Sequence, residues 1–165
     1  MPSAGLLRRV IRKGGIGLID IVAKTIYGEA RGAGVIDKIA VGAVIRERVL
    51  RPGWWGDSWE TVCLAPYQFS CWNEDDPNRP KLDLAYSDDH RTFLNCLTVA
   101  EYVINHFNDR DAAQIFGNSG PFPTHYHDLS IDYPKAWGSE KKIIAVKWKS
   151  IFKFYAGIKG SPERK

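Results

Sequence analysis

Residues 19–49 read IDIVAKTIYGEARGAGVIDKIAVGAVIRERV, and this stretch decides the fold class of the chain. Its apolar residues recur at three- and four-residue steps, first at Ile19, Val22, Ala23, Ile26, Tyr27 and Ala30, and then at Ile36, Ile39, Ala40, Ala43 and Val44. That period is typical of amphipathic helices with one buried face. Gly32 and Gly34 interrupt the pattern, as glycines do after a helix. The stretch therefore predicts two helices joined by a short connection.

The patterning changes after this helix pair. Pro52-Gly53 ends the second helix, and residues 54–89 are rich in Trp, Pro, Asn and Asp, which predicts long ordered loops with short helical turns. Asp88 or Asp89 is expected to cap a third helix, whose apolar stripe is Phe93, Leu97, Ala100, Ile104 and Phe107. Residues 124–137 are expected to be extended, and residues 141–148 to form a strand. The prediction is a mostly helical α+β domain with a small sheet and long loops.

Composition is that of one ordinary globular domain. The chain has 165 residues, of which 44% are hydrophobic and 25% charged, so its core needs neither disulfides nor metals. We expect a flexible basic lead at 1–15, a folded domain at 16–158 and a basic tail at 159–165. The three cysteines, Cys63, Cys71 and Cys96, have no CxxC spacing, which favours buried thiols and leaves a Cys63–Cys71 bridge open.

Charge limits the choice of partners without deciding it. The net charge is +4 and the pI is about 9.0, a balance that attracts nucleic acid, anionic membrane surfaces and the carboxylate-bearing bacterial wall alike. The first residues, MPSAGLLRRVIRKGG, carry charges where a signal peptide would have its apolar run. The apolar stretch that follows is short and contains Asp20, so no membrane-spanning helix is expected. The sequence predicts a protein made in the cytoplasm without a signal peptide.

Glu29 is the leading candidate for a catalytic residue. It lies three residues after Ile26 and seven after Val22, on the apolar stripe of the first helix. A carboxyl group held against hydrophobic side chains loses hydration, which raises its pKa and suits it to general acid catalysis. The alternative is a structural acid in an ion pair with Arg31 or Arg48.

Glu47 is the second-choice acid. It lies four residues after Ala43 and also faces inward on the predicted second helix. Arg46, Arg48 and Arg51 surround it in sequence, and an ion pair with any of them would lower its pKa. It therefore ranks below Glu29.

Three blocks of sequence carry a family resemblance. They are IYGEARG at 26–32, WETVCLAPYQFSCWN at 59–73 and THYHDLSIDYPKAW at 124–137. In this order they resemble the SleB-like family of cell-wall hydrolases. The resemblance implies a lysozyme-like single domain at 16–158 that acts on peptidoglycan glycan strands, with Glu29 as its catalytic glutamate and no cofactor.

The chemistry implied by the resemblance needs only one carboxyl group. Many members of the family look like lytic transglycosylases. In that reaction Glu29 would protonate the oxygen between N-acetylmuramic acid and N-acetylglucosamine, then take the proton from the muramic C6 hydroxyl as it attacks C1. Ordinary glycosidases use two carboxylates, and Asp57, Asp75 and Asp76 on the loops leave hydrolysis open.

The same blocks imply a substrate-binding wall. Amide and hydroxyl groups can bond the N-acetyl arms of the sugars while aromatic rings pack on the sugar faces. The expected substrate-binding residues are Tyr27, Gln68, Phe69, Ser70, Trp72, Asn73, Thr124, His125, Tyr126, His127 and Trp137. The alternative for residues 68–73 is a loop that merely caps the core.

His125 and His127 could also serve as metal ligands. On a strand both imidazoles would lie on one face, a geometry that zinc can use. No third ligand is evident, so no metal is expected. The pair is expected to hydrogen-bond substrate or to hold Glu29 in place, with a structural pair as the alternative.

Two features depart from the resemblance. Glu47 stands where the family commonly has Asn, and the segment WKSIFKFY at 148–155 lacks the histidine that the family usually has near its C-terminus. The role of that last segment is therefore left open by the sequence.

The main hypothesis is a phage-type endolysin that reaches the cell wall, in the periplasm, after holin-type release. The expected partner is peptidoglycan rather than nucleic acid, with transient contact to an anionic envelope, and the expected state is a monomer. The competing hypotheses are a zinc amidase that uses His125 and His127, and a non-catalytic wall- or nucleic-acid-binding module.

Overall fold

The computed structural model describes residues 17–165, so the predicted lead at 1–15 lies outside the described residues. The helices are α1 (Leu18–Ala30), α2 (Val35–Leu50), α3 (Trp59–Leu64), α4 (Arg79–Asp88), α5 (His90–Asn105) and α6 (Asp109–Phe116). The strands are β1 (His125–Asp128), β2 (Lys142–Ile144) and β3 (Phe152–Ala156), and short 3-10 turns lie at Ser70–Trp72 and Lys135–Trp137. Among these helices none is both long enough and apolar enough to cross a bilayer.

Helix α5 forms the centre of the helical layer. Its apolar stripe, which includes Phe93, Leu97 and Val103, is buried against α1 and α2. A Cβ atom at Gly42 of α2 would lie 2.8 Å from a methyl carbon of Val103, so only glycine allows this close helix packing. Helix α1, which carries Glu29, packs against both α5 and α2 through its own buried face.

The sheet is three-stranded and antiparallel, in the order β1-β3-β2. Phe154 of the central strand pairs with Tyr126 on one side and with Ile144 on the other. The central strand comes from the WKSIFKFY segment, whose role the sequence left open. That segment therefore completes the sheet.

A buried carboxylate fixes the chain that enters β3. Asp37, in the first turn of α2, is only 3% exposed. It accepts hydrogen bonds from Trp148 Nε1 at 2.8 Å, from Ile151 N at 3.1 Å and from the Ser150 hydroxyl. Because all three donors come from residues 148–151, Asp37 ties this segment, which leads into β3, to the helical layer.

Residues 159–165, the predicted basic tail, are largely exposed and contact the rest of the domain at several points. Arg164 forms hydrogen-bonded ion pairs with Asp109 at 2.7 Å and with Glu47 at 3.3 Å. Upstream, Trp54 Nε1 donates to the Gly160 carbonyl at 3.1 Å, and Arg51 donates to the Pro162 carbonyl at 3.2 Å. The segment is held against the domain because Arg164 pairs with the buried carboxylate of Glu47 and the half-exposed carboxylate of Asp109.

The predicted helices at 19–49 and after Asp89 are confirmed as α1, α2 and α5, although the Asp89 side chain makes no capping hydrogen bond. The prediction of loops at 54–89 is wrong in part, since α3 and the ten-residue α4 lie there. Only Leu82 and Ala85 of α4 are buried, so its sequence has almost no apolar stripe. The strand expected at 141–148 is confined to Lys142–Ile144.

Candidate active site

Glu29 lies in the last turn of α1 and is partly exposed, and its carboxylate accepts a hydrogen bond from a distant part of the chain. The Tyr126 hydroxyl, from β1, donates to Oε2 at 2.7 Å. The thiol of Cys71, in the Ser70–Trp72 turn, lies within hydrogen-bonding reach of the same carboxylate. The residue that the sequence singled out is therefore held by two of the three family-like blocks.

The pKa of Glu29 is raised above its ordinary value. Burial of the carboxyl group is the largest cause, and the negative charge of Asp76 adds to it. The hydrogen bonds from Tyr126 and Cys71 and the positive charge of Arg48 act in the opposite direction and are outweighed. A carboxyl group in this setting keeps its proton to higher pH than an exposed glutamate, as a general acid must.

Arg48 is a buried cation whose direct partners are neutral. Its Nε donates to the Thr124 carbonyl at 2.8 Å and its Nη1 to Gln68 Oε1 at 3.4 Å. The guanidinium lies over the rings of Trp55 and Phe69, at 5.3 Å and 5.1 Å from their centroids. Burial lowers its pKa to about 10, so it stays charged at neutral pH. Arg48 thus joins the 59–73 block to the 124–137 block beside Glu29.

The alternative of Glu29 as one half of a structural ion pair is not what the geometry shows. Within residues 17–165, Glu29 forms no ion pair with Arg31 or Arg48. Arg31 instead donates to Asn78 Oδ1 at 2.8 Å and lies over the ring of Tyr27. Glu29 therefore keeps an electrostatic interaction with Arg48 without direct contact.

Gly28 explains how Cys71 comes so close to Glu29. A Cβ atom at Gly28 would lie 2.6 Å from both Cβ and Sγ of Cys71, so any side chain there would push the Ser70–Trp72 turn away from α1. Burial raises the pKa of the Cys71 thiol, which therefore remains a protonated donor. Trp72 Nε1 donates to Thr25 Oγ1 at 2.9 Å and fixes the same turn one helical turn before Glu29. All three cysteines of the chain are buried and free, without the Cys63–Cys71 bridge.

Strand β1 divides the THYH residues between two faces of the sheet. Tyr126 faces Glu29 and packs on the rings of Phe152 and Phe154. His125 and His127 face the other way, into a cluster of rings with Trp137 and Tyr155. The prediction that both imidazoles share one face is confirmed.

The two histidines make their hydrogen bonds away from Glu29. His127 bonds the Tyr155 hydroxyl through Nε2 and the Asp128 carbonyl through Nδ1, each at 2.8 Å. His125 Nδ1 lies 2.8 Å from the Thr124 hydroxyl, and burial together with the charge of Arg48 lowers the pKa of His125 to about 3. Neither histidine holds Glu29 in place, and substrate contact by them or by Trp137 stays a prediction. Residues 17–165 contain no group of three or more side chains that could hold a metal ion.

The other predicted site residues are dispersed. The Tyr27 hydroxyl donates to Asp89 at 3.2 Å, at the junction of α1 and α5. Glu47 is buried in ion pairs with Arg51 at 2.8 Å and Arg164 at 3.3 Å, and shares no hydrogen bond with the Glu29 cluster in the described structure. Ser70 is exposed, whereas Trp72 and Asn73 line a groove of about 500 Å³.

Two replacements at the Glu29 carboxylate are expected to move the pH profile in opposite directions. For a reaction in which Glu29 is the general acid, kcat/KM is expected to fall as pH rises through the pKa of Glu29. Tyr126→Phe removes a donor to the ionised form, which raises the pKa and moves this descending limb to higher pH. Cys71→Ser replaces a weak donor by a stronger one, which moves the limb to lower pH.

The measurement is the pH dependence of kcat/KM on purified sacculi. Tyr133→Phe is the matched control. The Tyr133 hydroxyl is buried and has no hydrogen-bond partner among residues 17–165, so its loss should leave the descending limb where it is. Shifts of the same sign for Tyr126→Phe and Cys71→Ser would contradict this account of the carboxylate.

Comparison with known structures confirms the predicted mostly helical, lysozyme-like α+β fold. The structure is similar to the catalytic domain of the germination-specific lytic transglycosylase SleB from Bacillus anthracis. The TM-score is 0.53 and the sequence identity 17%, over 87% of this chain and 98% of that chain. At this identity the likeness establishes the fold.

The family follows from sequence. A family model described as Cell Wall Hydrolase matches residues 32–152, which is more than half of the chain, and the chain therefore belongs to the cell wall hydrolase family. The matched range begins at residue 32, shortly after Glu29. The case for Glu29 as the catalytic residue therefore depends on the geometry described above. A search of curated proteins found no match.

Sequence reasoning missed Arg48 and Cys71 as parts of the site. Arg48 was considered only as an ion-pair partner, and Cys71 only as a buried thiol. One sequence feature points to the Cys71 contact: a glycine immediately before Glu29, inside a helix, indicates that another segment approaches closely there.

Proposed function

We propose that this protein cleaves the glycosidic bond between N-acetylmuramic acid and N-acetylglucosamine in peptidoglycan, as a lytic transglycosylase with Glu29 as its single acid/base. Membership of the cell wall hydrolase family supports peptidoglycan as the substrate. The observation that carries the proposal is a carboxyl group on the inner face of α1 that accepts a 2.7 Å hydrogen bond from the Tyr126 hydroxyl and whose pKa is raised by burial.

The proposed reaction uses Glu29 twice. Its protonated carboxyl group donates to the bridging oxygen, the bond from that oxygen to muramic C1 breaks, and N-acetylglucosamine leaves with a free hydroxyl. The C6 hydroxyl of the same muramic acid then bonds to C1 and gives its proton back to Glu29. The product is a 1,6-anhydro sugar, the enzyme returns to its starting state, and no water is consumed.

The surroundings of Glu29 suit both halves of this cycle. Between the two proton transfers Glu29 is a carboxylate, which Tyr126 and Cys71 stabilise by donating hydrogen bonds and Arg48 by its charge. Burial keeps the pKa high enough for the proton to be present at the start. A carboxyl group that must act as acid and then as base needs this balance of opposing effects.

Mass spectrometry of the fragments released from sacculi tests the proposal. We expect muropeptides that end in anhydromuramic acid and are lighter by one water molecule than the products of hydrolysis. Digestion in water enriched in oxygen-18 should leave these ends unlabelled. Labelled reducing ends at muramic acid would overturn the transglycosylase mechanism while keeping glycosidic cleavage.

Hydrolysis with a second carboxylate is the next candidate, and Asp76 is the observation that favours it. Its charge is the smallest of the effects that act on the pKa of Glu29, and two carboxylates flanking the bond are the usual hydrolytic arrangement. The oxygen-18 experiment separates the two reactions directly.

The zinc amidase has less support. Both ring nitrogens of His127 are hydrogen-bonded within the protein, so metal binding would require both bonds to break. Loss of activity on chelation, with release of free peptides, would favour it. Binding to sacculi without released fragments would favour the non-catalytic module.

An endolysin role is part of the proposal. A net charge of +4 favours approach to an anionic envelope, and we propose that the protein reaches the wall as a monomer after holin-type release. Co-expression with and without a holin, followed by culture turbidity, tests this role independently of the bond that is cleaved.

A further inference from the structure

Charge is divided unevenly along the described chain. Residues 17–134, which form the helices and β1, hold ten Lys and Arg against seventeen Asp and Glu. Residues 135–165, which form β2, β3 and the segments around them, hold nine Lys and Arg against only two acids, Glu140 and Glu163. An acidic helical part is thus joined to a strongly basic C-terminal part.

Most lysines of this basic part are exposed and unpaired. Lys159 forms an ion pair with Glu140 at 3.8 Å. The Nζ of Lys141 lies 4.1 Å from the centroid of the Tyr133 ring, which packs edge-on against Tyr155 at 5.1 Å. Among residues 17–165, no ion pair is formed by the exposed side chains of Lys135, Lys141, Lys142, Lys147, Lys149 and Lys153. Their charge is available to an external partner.

The strand register places several of these groups on one face of the sheet. Lys153 of β3 pairs with His127 of β1, whose side chain points away from the catalytic carboxyl group. Tyr155 lies two residues after Lys153 and pairs with Ile143 of β2, so these side chains share the face of His127. Lys141 lies over the same face, because the Tyr133 ring beneath it packs on Tyr155.

Exposed aliphatic side chains lie beside these lysines. The Leu129 N–H donates to the Ile151 carbonyl at 2.9 Å, which continues the pairing of β1 with β3 by one step and places both side chains on this face. Leu129 is 58% exposed, Ile143 50% and Ile151 42%. We call the surface formed by Leu129, Lys141, Ile143, Ile151 and Lys153 the outer face. Lysines mixed with aliphatic side chains are typical of surfaces that rest on a membrane interface.

Charge and composition favour an anionic lipid surface over other partners of the outer face. A second copy of the chain would bring like charges together, which is unfavourable. Binding to single-stranded nucleic acid relies on rings that stack on bases, whereas the outer face offers lysine and aliphatic groups. Lysines on an edge strand also discourage unwanted strand pairing, but Lys153 lies on the central strand, which has no open edge.

We propose that the outer face docks on an anionic phospholipid surface. Its lysines pair with lipid phosphates, and its aliphatic side chains enter the headgroup region. Tyr126 and Glu29 lie on the other side of β1, so the docked protein keeps its candidate active site directed away from the lipid. This surface is separate from the Glu29 site, and the inference holds whichever bond of the wall is cleaved.

Cosedimentation with lipid vesicles tests the inference. We expect the parent protein to bind vesicles of phosphatidylcholine that contain about one-third phosphatidylglycerol, and to bind pure phosphatidylcholine much more weakly. Lys141→Gln/Lys153→Gln should lower the partition coefficient on the anionic vesicles about 10- to 30-fold, because each lysine near such a surface contributes separately. Leu129→Ser should lower it about 3-fold or more, and this loss should persist at high salt.

Arg91→Gln/Arg110→Gln is the matched control. It removes the same charge at exposed positions of α5 and α6 and should change vesicle binding by less than about 2-fold. An equal loss in this control would mean that net charge alone attracts the protein to lipid, and would overturn the inference.

Two other polyanions identify the partner. In the Glu29→Gln background, which prevents turnover, Lys141→Gln/Lys153→Gln should bind purified sacculi as tightly as Glu29→Gln alone. An equal loss on sacculi would assign the lysines to wall carboxylates, and tighter binding to duplex DNA than to anionic vesicles would assign them to nucleic acid. Either result would overturn lipid docking. Because the vesicles contain no peptidoglycan, their readout is independent of the reaction proposed for Glu29.

Discussion

Replacing Glu29 with Gln is expected to lower the turnover of peptidoglycan sacculi by about two or more orders of magnitude, since it removes the proton donor and acceptor together. The amide can still accept the hydrogen bond from the Tyr126 hydroxyl, so the site should keep its shape. Loss of turbidity and release of soluble muropeptides measure the effect. Turnover equal to that of the parent protein would contradict the assignment of Glu29 as the catalytic acid/base.

Glu47→Gln is the matched control for this experiment. It makes the same carboxylate-to-amide change at the other inward-facing glutamate. Glu47, however, is held by ion pairs with Arg51 and Arg164 and not by the groups around Glu29. We expect it to lower stability and to leave the specific activity of the folded protein close to that of the parent. A comparable loss of activity in Glu47→Gln would reverse the ranking of the two acids.

Thermodynamic linkage provides a check on the folding of Glu29→Gln. Because the folded-state pKa of Glu29 is raised, the folded protein binds its proton more tightly than the unfolded chain does. Stability from this group is present below its unfolded-state pKa and is lost as pH rises through the folded-state pKa. The amide variant lacks this loss and should be at least as stable as the parent at neutral pH.

Asp37→Ala is expected to lower the free energy of unfolding by about 3–5 kcal/mol, because it leaves three donors without their acceptor. Trp148 Nε1, the Ser150 hydroxyl and Ile151 N all donate to this one carboxylate, which is 3% exposed. A loss of this size is a large fraction of the stability of a typical domain. Urea unfolding followed by circular dichroism measures it through the midpoint and the slope.

Two comparisons make the Asp37 result specific. Asp132→Ala, at an exposed position, should change stability by less than about 0.5 kcal/mol. Asp37→Asn keeps one carbonyl acceptor and should fall between the parent and the alanine variant. An alanine variant as stable as the parent would show that residues 148–151 do not depend on this anchor.

Much of the site follows from periodicity. Glu29 could be found because a carboxylate on the apolar stripe of a helix is rare without a purpose. The two-residue repeat of a strand placed His125 and His127 on one face. The same repeat places Tyr126 on the opposite face, where its hydroxyl contacts Glu29.

The remaining parts depend on contacts between segments distant in sequence. Arg48 donates to the backbone carbonyl of Thr124, 76 positions later. Every residue has such a carbonyl, so the amino-acid type at position 124 does not reveal this contact. Helix α4 buries only two side chains, so its pattern does not differ from that of a polar loop. Strand β3 stands between two partners, and its pairing depends on where the rest of the chain places β1 and β2.

The position of β3 in the middle of the sheet has a consequence for the protein during synthesis. The acid on α1 is among the first described residues to leave the ribosome, whereas the strand that supports Tyr126 is among the last. Until residue 156 has emerged, β1 has no neighbour to pair with and its tyrosine has no fixed direction. A nascent chain thus carries Glu29 without its hydroxyl donor until β3 has been synthesised and has paired with β1.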